Sequence, residues 1–240
     1  MGMPITIEVV DDINSDQIDS IFKSFIEVDE RFSTYKTTSE ISKINEGLSK
    51  KFWSNDMKKV MSLCEQTKKA TKGYFDIRHK DKFDPSGLVK GWSIQNAAKL
   101  LVEIGKTNFY IEAGGDIQVS GNNTDGKDWV IGIRNPFNID EIIKVLKTTN
   151  KGIASSGTYI RGQHIYNPLN SDHEIKSVQS LTVIGPNIYE ADRFATAGFA
   201  MGEAGINFIE ETPGLEGYMV NADMVATYTS GFERFVVDYV

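Results

Sequence analysis

The stretch Glu190-Ala-Asp-Arg-Phe-Ala-Thr-Ala-Gly-Phe-Ala-Met-Gly202 predicts the helix around which the rest of the chain is arranged. It has no proline, is rich in alanine and has a glycine at its far end, where helices commonly stop. Asp192 and Thr196 are four residues apart, so they share one face of this helix with Phe199. A carboxylate beside a hydroxyl is an oxygen pair that Mg²⁺ or Ca²⁺ accepts. The alternative is that Asp192 only complements the helix dipole and Thr196 is incidental.

The composition is that of a globular protein with a sizeable core, since 40% of the 240 residues are hydrophobic. A net charge of -7 without a Lys/Arg-rich run argues against nucleic-acid binding. The single cysteine, Cys64, excludes an internal disulfide and a cysteine-based metal cage. No apolar run approaches the ~20 residues of a transmembrane segment, and no signal peptide is visible. We therefore expect a cytoplasmic protein as the sequence stands, or an extracytoplasmic one if the chain has been trimmed.

Hydrophobic periodicity predicts alternating helices and strands along the whole chain. Besides the helix predicted at residues 190–202, helices are predicted at residues 15–31, 40–45, 55–72, 92–104 and 203–210. The predicted strands cover residues 4–10, 73–77, 108–112, 117–120, 129–134, 178–184, 216–221, 224–229 and 232–239. Residues 140–150 suit either a helix or a bulged strand, and we prefer the strand. The strands at 117–120 and 129–134 are predicted to pair as a hairpin around the turn at 121–126. We expect one α+β domain over residues 1–240, with mixed or antiparallel sheets and packed helices.

A glycine-containing loop, Asp84-Pro-Ser-Gly-Leu-Val-Lys-Gly91, directly precedes the predicted helix at 92–104. This order places four residues just before or at a helix N-terminus: Ser86, Gly87, Lys90 and Gly91. Free N–H groups, the helix dipole and a lysine together favour an anion at that position. The spacing matches neither a Walker loop nor the dinucleotide-binding glycine pattern, and such loops are often only turns.

Two further features are candidates for a site. The turn Ala113-Gly-Gly-Asp116 would let the backbone approach a flat or charged ligand closely. Of the three histidines, His79 and His173 lie in charged loops and are predicted to be solvated. His164 lies on a short apolar stretch between turns, where a histidine is more often a hydrogen-bonded structural residue than a catalyst.

Seven motifs, in order along nearly the whole chain, resemble those of the ApbE-type FAD:protein FMN transferases. They are Met1-Gly2, Phe32-Ser-Thr-Tyr35 with Ser39-Glu40 and Asn45, Phe75-Asp76, Asp84-Pro-Ser-Gly-Leu-Val-Lys-Gly91, Ala113-Gly-Gly-Asp116, Ser156-Gly157 with His164 and Pro168, and Ala191-Asp-Arg-Phe-Ala-Thr196. Each motif alone is weak, whereas their order and spacing together are specific to the family.

The resemblance implies a reaction in which FAD is cleaved at its pyrophosphate with Mg²⁺, FMN is attached through phosphate to a Thr or Ser hydroxyl of a target protein, and AMP leaves. It implies that Asp192, Thr196 and a backbone carbonyl near Gly87 hold the metal, and that His164 is the base for the acceptor hydroxyl. It also implies a set of residues that contact FAD: Met1, Tyr35, Phe75, Asp76, Ser86, Lys90, Gly91, Gly114, Gly115, Asp116, Ser156 and Gly157.

The sequence departs from the family pattern at two carboxylate positions, where this chain has Gln95 and Asn167. Both changes affect residues that the resemblance connects with metal or adenosine contacts. Two alternatives to the transferase therefore stay open: an FAD pyrophosphatase that releases FMN and AMP, and a flavin-binding module without catalysis.

Overall fold

A computed structural model describes residues 2–158, 165–170 and 174–237, and within these residues the chain forms six α-helices and twelve strands. The helices are α1 (Ser15–Phe32), α2 (Glu40–Asn45), α3 (Asn55–Ala70), α4 (Ser86–Glu103), α5 (Ile188–Ala200) and α6 (Gly205–Glu210). The strands are β1 (Ile5–Val9), β2 (Arg78–His79), β3 (Lys82–Phe83), β4 (Phe109–Ala113), β5 (Asp116–Ser120), β6 (Trp129–Asn135), β7 (Asn138–Thr148), β8 (Gly152–Gly157), β9 (Val178–Gly185), β10 (Glu216–Asn221), β11 (Ala226–Tyr228) and β12 (Val236–Val237).

Side-chain caps fix the starts of the first three helices. Asn14 Oδ1 accepts a hydrogen bond from the Gln17 N–H at 2.9 Å, and the Gln17 side chain accepts one from the Asn14 N–H, which forms a capping box. Ser39 caps α2 and Ser54 caps α3 in a similar way, because each serine hydroxyl accepts a hydrogen bond from the backbone N–H three residues later. These helices begin where the sequence predicts because a cap needs only residues that are adjacent in the chain.

The described strands form one large and one small antiparallel sheet and a separate hairpin. The large sheet has the order β1-β4-β5-β8-β9-β10-β11, the small sheet has the order β12-β7-β6, and β2 pairs with β3. Every neighbouring pair in the large sheet is antiparallel. The mixture of helices with antiparallel sheets confirms the predicted α+β class.

Three apolar clusters hold these layers together. Helices α1, α4, α5 and α6 pack on one face of the large sheet through residues such as Phe109, Leu181 and Phe199. The small sheet covers the opposite face through residues such as Trp129 and Leu146. A third cluster joins α1, α2, α3 and the first half of α4, and it contains the buried Cys64. Among the helices of the described residues, none is long and apolar enough to cross a membrane.

The predicted hairpin between residues 117–120 and 129–134 is wrong, although both strands exist. Strand β5 pairs with β4 on one side and β8 on the other, so both of its edges are occupied. The β4–β5 connection is the tight turn at Gly114 and Gly115, whose φ angles are 59° and 92°. Strand β6 pairs with β7, which confirms the strand predicted at 140–150.

The strands predicted at 73–77 and 232–239 are also wrong in position. Gly73 has a φ of 90°, and the Phe75 N–H donates to the Thr71 hydroxyl, so this segment is a turn and pairing begins only at β2. Near the C-terminus a short 3₁₀ helix, Phe232–Phe235, replaces the first half of the predicted strand, and within the described residues only the two residues of β12 pair with β7.

Helix α4 begins six residues before its predicted start. Two glycines, Gly87 and Gly91, have low helix propensity and make the segment read as a loop. Contact with α5 overrides that propensity, since a Cβ at Gly91 would lie 2.7 Å from the Asp192 Cβ. Ser86, Gly87, Lys90 and Gly91 therefore belong to the first two turns of α4 rather than to the loop before it.

The close approach of β8 to the start of α5 gives a test of this packing. Gly152 is buried, and a Cβ there would overlap the backbone of Asn187 and Ile188. We predict that Gly152→Ala lowers the free energy of unfolding by about 2–3 kcal/mol, because neither backbone can move without disturbing the sheet. Urea unfolding measures this loss.

The control is Gly126→Ala in the loop between β5 and β6, where φ is 71° and a Cβ would meet no atom within 4 Å. This change adds backbone strain without overlap, so its cost should stay near 1 kcal/mol. Equal losses in the two variants would show that the β8–α5 approach does not require glycine.

Candidate active site

A cavity of about 870 Å³ opens between the first turns of α4, helix α5, strand β8 and the β2–β3 hairpin. Its volume is within the range of sites that hold large small-molecule ligands. Ten of the residues predicted to contact FAD or the metal line it: Phe75, Asp76, Ser86, Gly87, Lys90, Gly114, Ser156, Gly157, Asp192 and Thr196. The fold thus gathers residues that are spread over more than a hundred positions of the chain.

Helices α4 and α5 meet at the wall of this cavity through two glycines. The Gly91 N–H donates a hydrogen bond to Asp192 Oδ2 at 2.7 Å, and the Thr196 hydroxyl donates to the Gly87 carbonyl at 3.3 Å. A Cβ at Gly87 would lie 3.1 Å from Thr196 Cγ2, which is tighter than ordinary contact. The Asp192/Thr196 face predicted for α5 therefore lies directly on the backbone of α4.

One lysine lies between two buried carboxylates at the inner end of the cavity. Lys90 Nζ is 2.8 Å from Asp116 Oδ2 and 3.9 Å from Asp192 Oδ1. The side chains of Asp116 and Asp192 are only 1% and 4% exposed, so solvent screens their charges poorly. The Ser155 N–H donates to Asp116 Oδ1 at 3.3 Å. Two negative charges thus share one positive charge in a nearly dry environment.

Burial, together with the neighbouring negative charge, raises the pKa of Asp192 well above its ordinary value. Burial is the largest cause, and the Asp116 carboxylate adds to it, while Lys90 and the Gly91 N–H act in the opposite direction. The site therefore favours a proton or an additional cation next to Asp192.

The carboxylates alone do not complete a metal site. No group of three or more His, Cys, Asp or Glu side chains in the described part of the chain has the arrangement of a metal site. A cation at Asp192 would need other oxygen ligands, and the Thr196 hydroxyl and Gly87 carbonyl lie on the same wall. Such a set of hard oxygen ligands suits Mg²⁺ or Ca²⁺.

The β2–β3 hairpin forms the opposite side of the cavity and is fixed by contacts that the sequence does not reveal. The Asn45 amide exchanges two hydrogen bonds with the Phe83 backbone, at 2.8 and 3.0 Å, as a neighbouring strand would. The Tyr166 hydroxyl donates to the Asp76 carbonyl at 2.8 Å, and its ring lies 4.2 Å from that of His79. His79 was predicted to be solvated, and instead it packs against Tyr166 and lines the cavity.

Four residues predicted to contact FAD lie outside the described lining. Tyr35 is 97% exposed, although its neighbours Thr34 and Thr37 line the cavity. Gly91 is buried and its N–H is directed to Asp192, Gly115 lies in the exposed β4–β5 turn, and Asp116 lies behind Lys90. These positions make Gly91 and Asp116 supports of the cavity wall. Met1 and His164 lie outside the described residues.

The two departures from the family pattern do not contribute to the cavity in the described structure. Asn167 Oδ1 accepts a hydrogen bond from the Leu169 N–H at 2.9 Å, which stabilises a local turn. Gln95 lies one turn beyond Gly91 on α4 and lines a separate, shallower pocket of about 370 Å³. Its Oε1 has no hydrogen-bond partner among the described residues.

The family assignment follows from a direct match. The model of the ApbE family matches residues 1–81 and 77–219 of this chain. The chain therefore belongs to the ApbE family, which confirms the resemblance found in the sequence.

Individual relatives agree with this assignment. The FAD:protein FMN transferase of Haemophilus influenzae is 30% identical over 147 residues, which are 57% of this chain and 42% of that protein. The FAD:protein FMN transferase of Vibrio cholerae is 32% identical over 130 residues, which are 50% of this chain and 39% of that protein. The matched region thus spans about two fifths of the length of these curated relatives.

The solved structures show the same fold over nearly the full chain. The flavin transferase ApbE from Vibrio cholerae has a TM-score of 0.86 at 23% identity, and the match covers 98% of this chain and 96% of that chain. The Pseudomonas stutzeri flavinyl transferase ApbE has a TM-score of 0.84 at 18% identity, with 99% and 95% covered. At these identities the likeness establishes the fold.

The charge arrangement predicts how Lys90 contributes to stability. Lys90→Met would leave two carboxylates without their shared cation, so we expect a loss of about 3 kcal/mol in the free energy of unfolding. Adding Asp116→Asn to that variant removes one of the two charges and should recover a large part of the loss. Urea unfolding of the single and double variants measures the coupling between the two residues.

Lys99→Met on the exposed face of the same helix is the control and should change stability by less than about 0.5 kcal/mol. If Lys90→Met and Asp116→Asn had simply additive effects, the ion pair would not be the reason for the loss.

Proposed function

We propose that this chain is an Mg²⁺-dependent FAD:protein FMN transferase. Its substrates would be FAD and a protein with an acceptor Thr or Ser, and its products would be the FMN-modified protein and AMP. Two relatives with which it shares 30% and 32% identity carry the name FAD:protein FMN transferase. The observation that supports the proposal in this chain is the cavity whose inner wall combines a buried, excess negative charge with hydroxyl and carbonyl oxygens.

That wall suits a divalent cation. Asp192 would supply a carboxylate, Thr196 its hydroxyl and Gly87 its carbonyl, and a bound cation would supply the positive charge that the Asp116–Lys90–Asp192 cluster lacks. Mg²⁺ bound there would neutralise charge that develops on the pyrophosphate during its cleavage.

The residues of the chain would orient the substrate around that position. Ser86 and Gly87 are in the first turn of α4, whose N-terminal end favours a phosphate group. Phe75 offers a ring on one side of the cavity, and Ser156 and Gly157 of β8 present a polar edge on another. The Gly91 N–H contacts Asp192 Oδ2 and Lys90 lies near Asp192 Oδ1, so the orientation of this carboxylate is fixed before a ligand binds.

The acceptor hydroxyl needs a base, and we propose His164 for that role. Histidine takes and gives a proton near neutral pH, which suits proton abstraction from a hydroxyl. The support is the family motif in the sequence, together with the cavity-lining positions of the next two residues, Ile165 and Tyr166. Burial raises the pKa of Tyr166 to about 12, so its phenol stays neutral and is not the base.

An assay with FAD, Mg²⁺ and a threonine-containing acceptor peptide tests the proposed function. Covalent flavin on the peptide with an equal amount of AMP supports the transferase. AMP release without peptide labelling would replace it by an FAD pyrophosphatase, and FAD binding without either product would leave a flavin-binding module.

In the same assay His164→Ala should abolish peptide labelling while FAD binding persists, and labelling at the wild-type rate would exclude His164 as the base.

The proposed metal position predicts opposite effects of one substitution on stability and on activity. Asp192→Asn removes one of two buried like charges, so the metal-free protein should melt at a higher temperature than the wild type. A neutral amide is a poorer ligand for Mg²⁺, so the rate of Mg²⁺-dependent AMP release should fall at least about tenfold. This corresponds to a rise of about 1.4 kcal/mol in the activation free energy.

Mg²⁺ should raise the melting temperature of the wild type and have little effect on Asp192→Asn. The exposed Asp223→Asn serves as control and should behave as the wild type in both measurements. An equal Mg²⁺-induced rise in Asp192→Asn would show that the cation binds elsewhere.

A further inference from the structure

Positive charge is concentrated in one segment beside the cavity, although the protein as a whole is acidic. Residues 68–82 contain six cations and two acids, a net charge of +4, in a chain whose total is -7. The remainder of the chain therefore has a net charge of -11. The cations of this segment are Lys68, Lys69, Lys72, Arg78, Lys80 and Lys82.

Two of these cations remain available for an external partner at the cavity itself. Lys68 pairs with Asp76 at 2.6 Å, and Arg78 pairs with Asp81 at 3.5 Å. Lys80 and Lys82 are exposed and line the cavity, and their side chains form no ion pair or hydrogen bond within the described residues. They differ in this from Lys90, which is only 17% exposed and pairs with Asp116 at the inner end.

The hairpin presents these lysines on a fixed frame. Lys80 and Asp81 form its two-residue turn with φ angles of 48° and 61°, a conformation that glycine or asparagine adopts at lower cost. The Asn45 amide and Tyr166 hold the adjoining backbone from two sides. Because the hairpin backbone is already held in place, partner binding costs conformational entropy in the lysine side chains but not in the backbone.

We propose that the β2–β3 hairpin is the docking edge for the acceptor protein, and that it selects an acidic segment next to the acceptor hydroxyl. The proposal rests on the proposed transferase function and adds the chemistry of the partner. The pyrophosphate belongs with the buried end of the cavity, near Lys90 and Asp192, because charge neutralisation is effective where water is excluded. An acceptor segment meets the exposed rim, where lysines attract carboxylates over a distance of about a Debye length.

Three exposed acids also line the cavity: Glu46, Asp84 and Glu174. Asp84 accepts a hydrogen bond from the Ser86 N–H at 3.0 Å, and Glu174 pairs with Lys176 at 3.3 Å. The third acid, Glu46, forms no ion pair within the described residues and is the one whose charge can be removed without breaking such a contact. It follows α2, is exposed, lines the same cavity and would repel an acidic segment. Its removal should therefore strengthen the selection that removal of the lysines weakens. Opposite effects of the lysine and glutamate substitutions on peptide selection would distinguish an electrostatic contact from a structural disturbance of the hairpin.

The experiment uses the full chain and two synthetic peptides with a central threonine, one flanked by aspartates and the other by asparagines. Fluorescence anisotropy measures peptide binding, and a parallel assay measures AMP release from FAD without peptide. The wild type should bind the aspartate peptide about tenfold more tightly than the asparagine peptide, with the preference lost at high salt. Lys80→Gln with Lys82→Gln should remove the preference, and Glu46→Gln should increase it.

The control is Lys58→Gln with Lys59→Gln, which removes the same total charge from exposed positions of α3 outside the cavity lining. It should keep the preference. The KM for FAD, measured in the same variants without peptide, shows whether Lys80 and Lys82 contact FAD instead of the acceptor.

Three results would overturn the docking proposal. They are equal binding of both peptides by the wild type, equal loss of the preference in the Lys58/Lys59 control, or a higher KM for FAD in the Lys80/Lys82 variant with peptide binding unchanged. Peptide binding is measured without turnover, so the two proposals can fail separately. If the protein prefers the aspartate peptide but labels no peptide, the docking surface is supported and the transferase function is not.

Discussion

The contact between Gly91 on α4 and Asp192 on α5 is the constraint on which the site depends. Its 2.7 Å hydrogen bond is possible only because α4 has no side chain at that point, where a Cβ would lie 2.7 Å from the Asp192 Cβ. The same approach brings Thr196 to the Gly87 carbonyl one turn earlier on α4. Two glycines that weaken a helix in isolation thus allow two helices to form one polar wall.

The large sheet holds that wall from behind. Strand β8 contacts the start of α5 at Gly152, donates the Ser155 N–H to Asp116, and lines the cavity with Ser156 and Gly157. One strand therefore supports the helix, orients a carboxylate and forms part of the ligand surface. A disturbance of β8 would reach Asp192 and the cavity together, so the stability of the sheet and the geometry of the site are coupled.

Short-range signals in the sequence predict much of the fold. Asn14, Ser39 and Ser54 cap helices through residues three positions away, so the starts of α1, α2 and α3 are visible in the chain itself. The pairing of β5 is not visible, because its partner β8 lies more than thirty residues away and the β6–β7 hairpin removes β6 from competition. The start of α4 is hidden for the same reason, since the partner that makes its glycines favourable belongs to α5.

The site shows a similar division. The spacing of Asp192 and Thr196 predicts a shared helix face, and the family motifs bring Gly87, Lys90 and Asp116 into consideration. That Lys90 lies between the two carboxylates is a consequence of long-range packing and follows from no spacing rule. The hydrogen bonds between the Asn45 amide and the Phe83 backbone also join residues 38 positions apart. For this reason the position of the β2–β3 hairpin, on the other side of the cavity from Asp192, could not be predicted from the sequence.

Burial of two carboxylates around one lysine is a poor choice for stability alone. Apolar residues of similar volume commonly stabilise an interior as well as a buried ion pair does, and here two carboxylates share one lysine. Asp192 nevertheless lies at the cavity wall, with one oxygen held by the Gly91 N–H and the other 3.9 Å from Lys90. The fold thus keeps an excess negative charge in a fixed, nearly dry position beside other oxygens, an arrangement whose energetic cost would fall if a proton or another cation bound there.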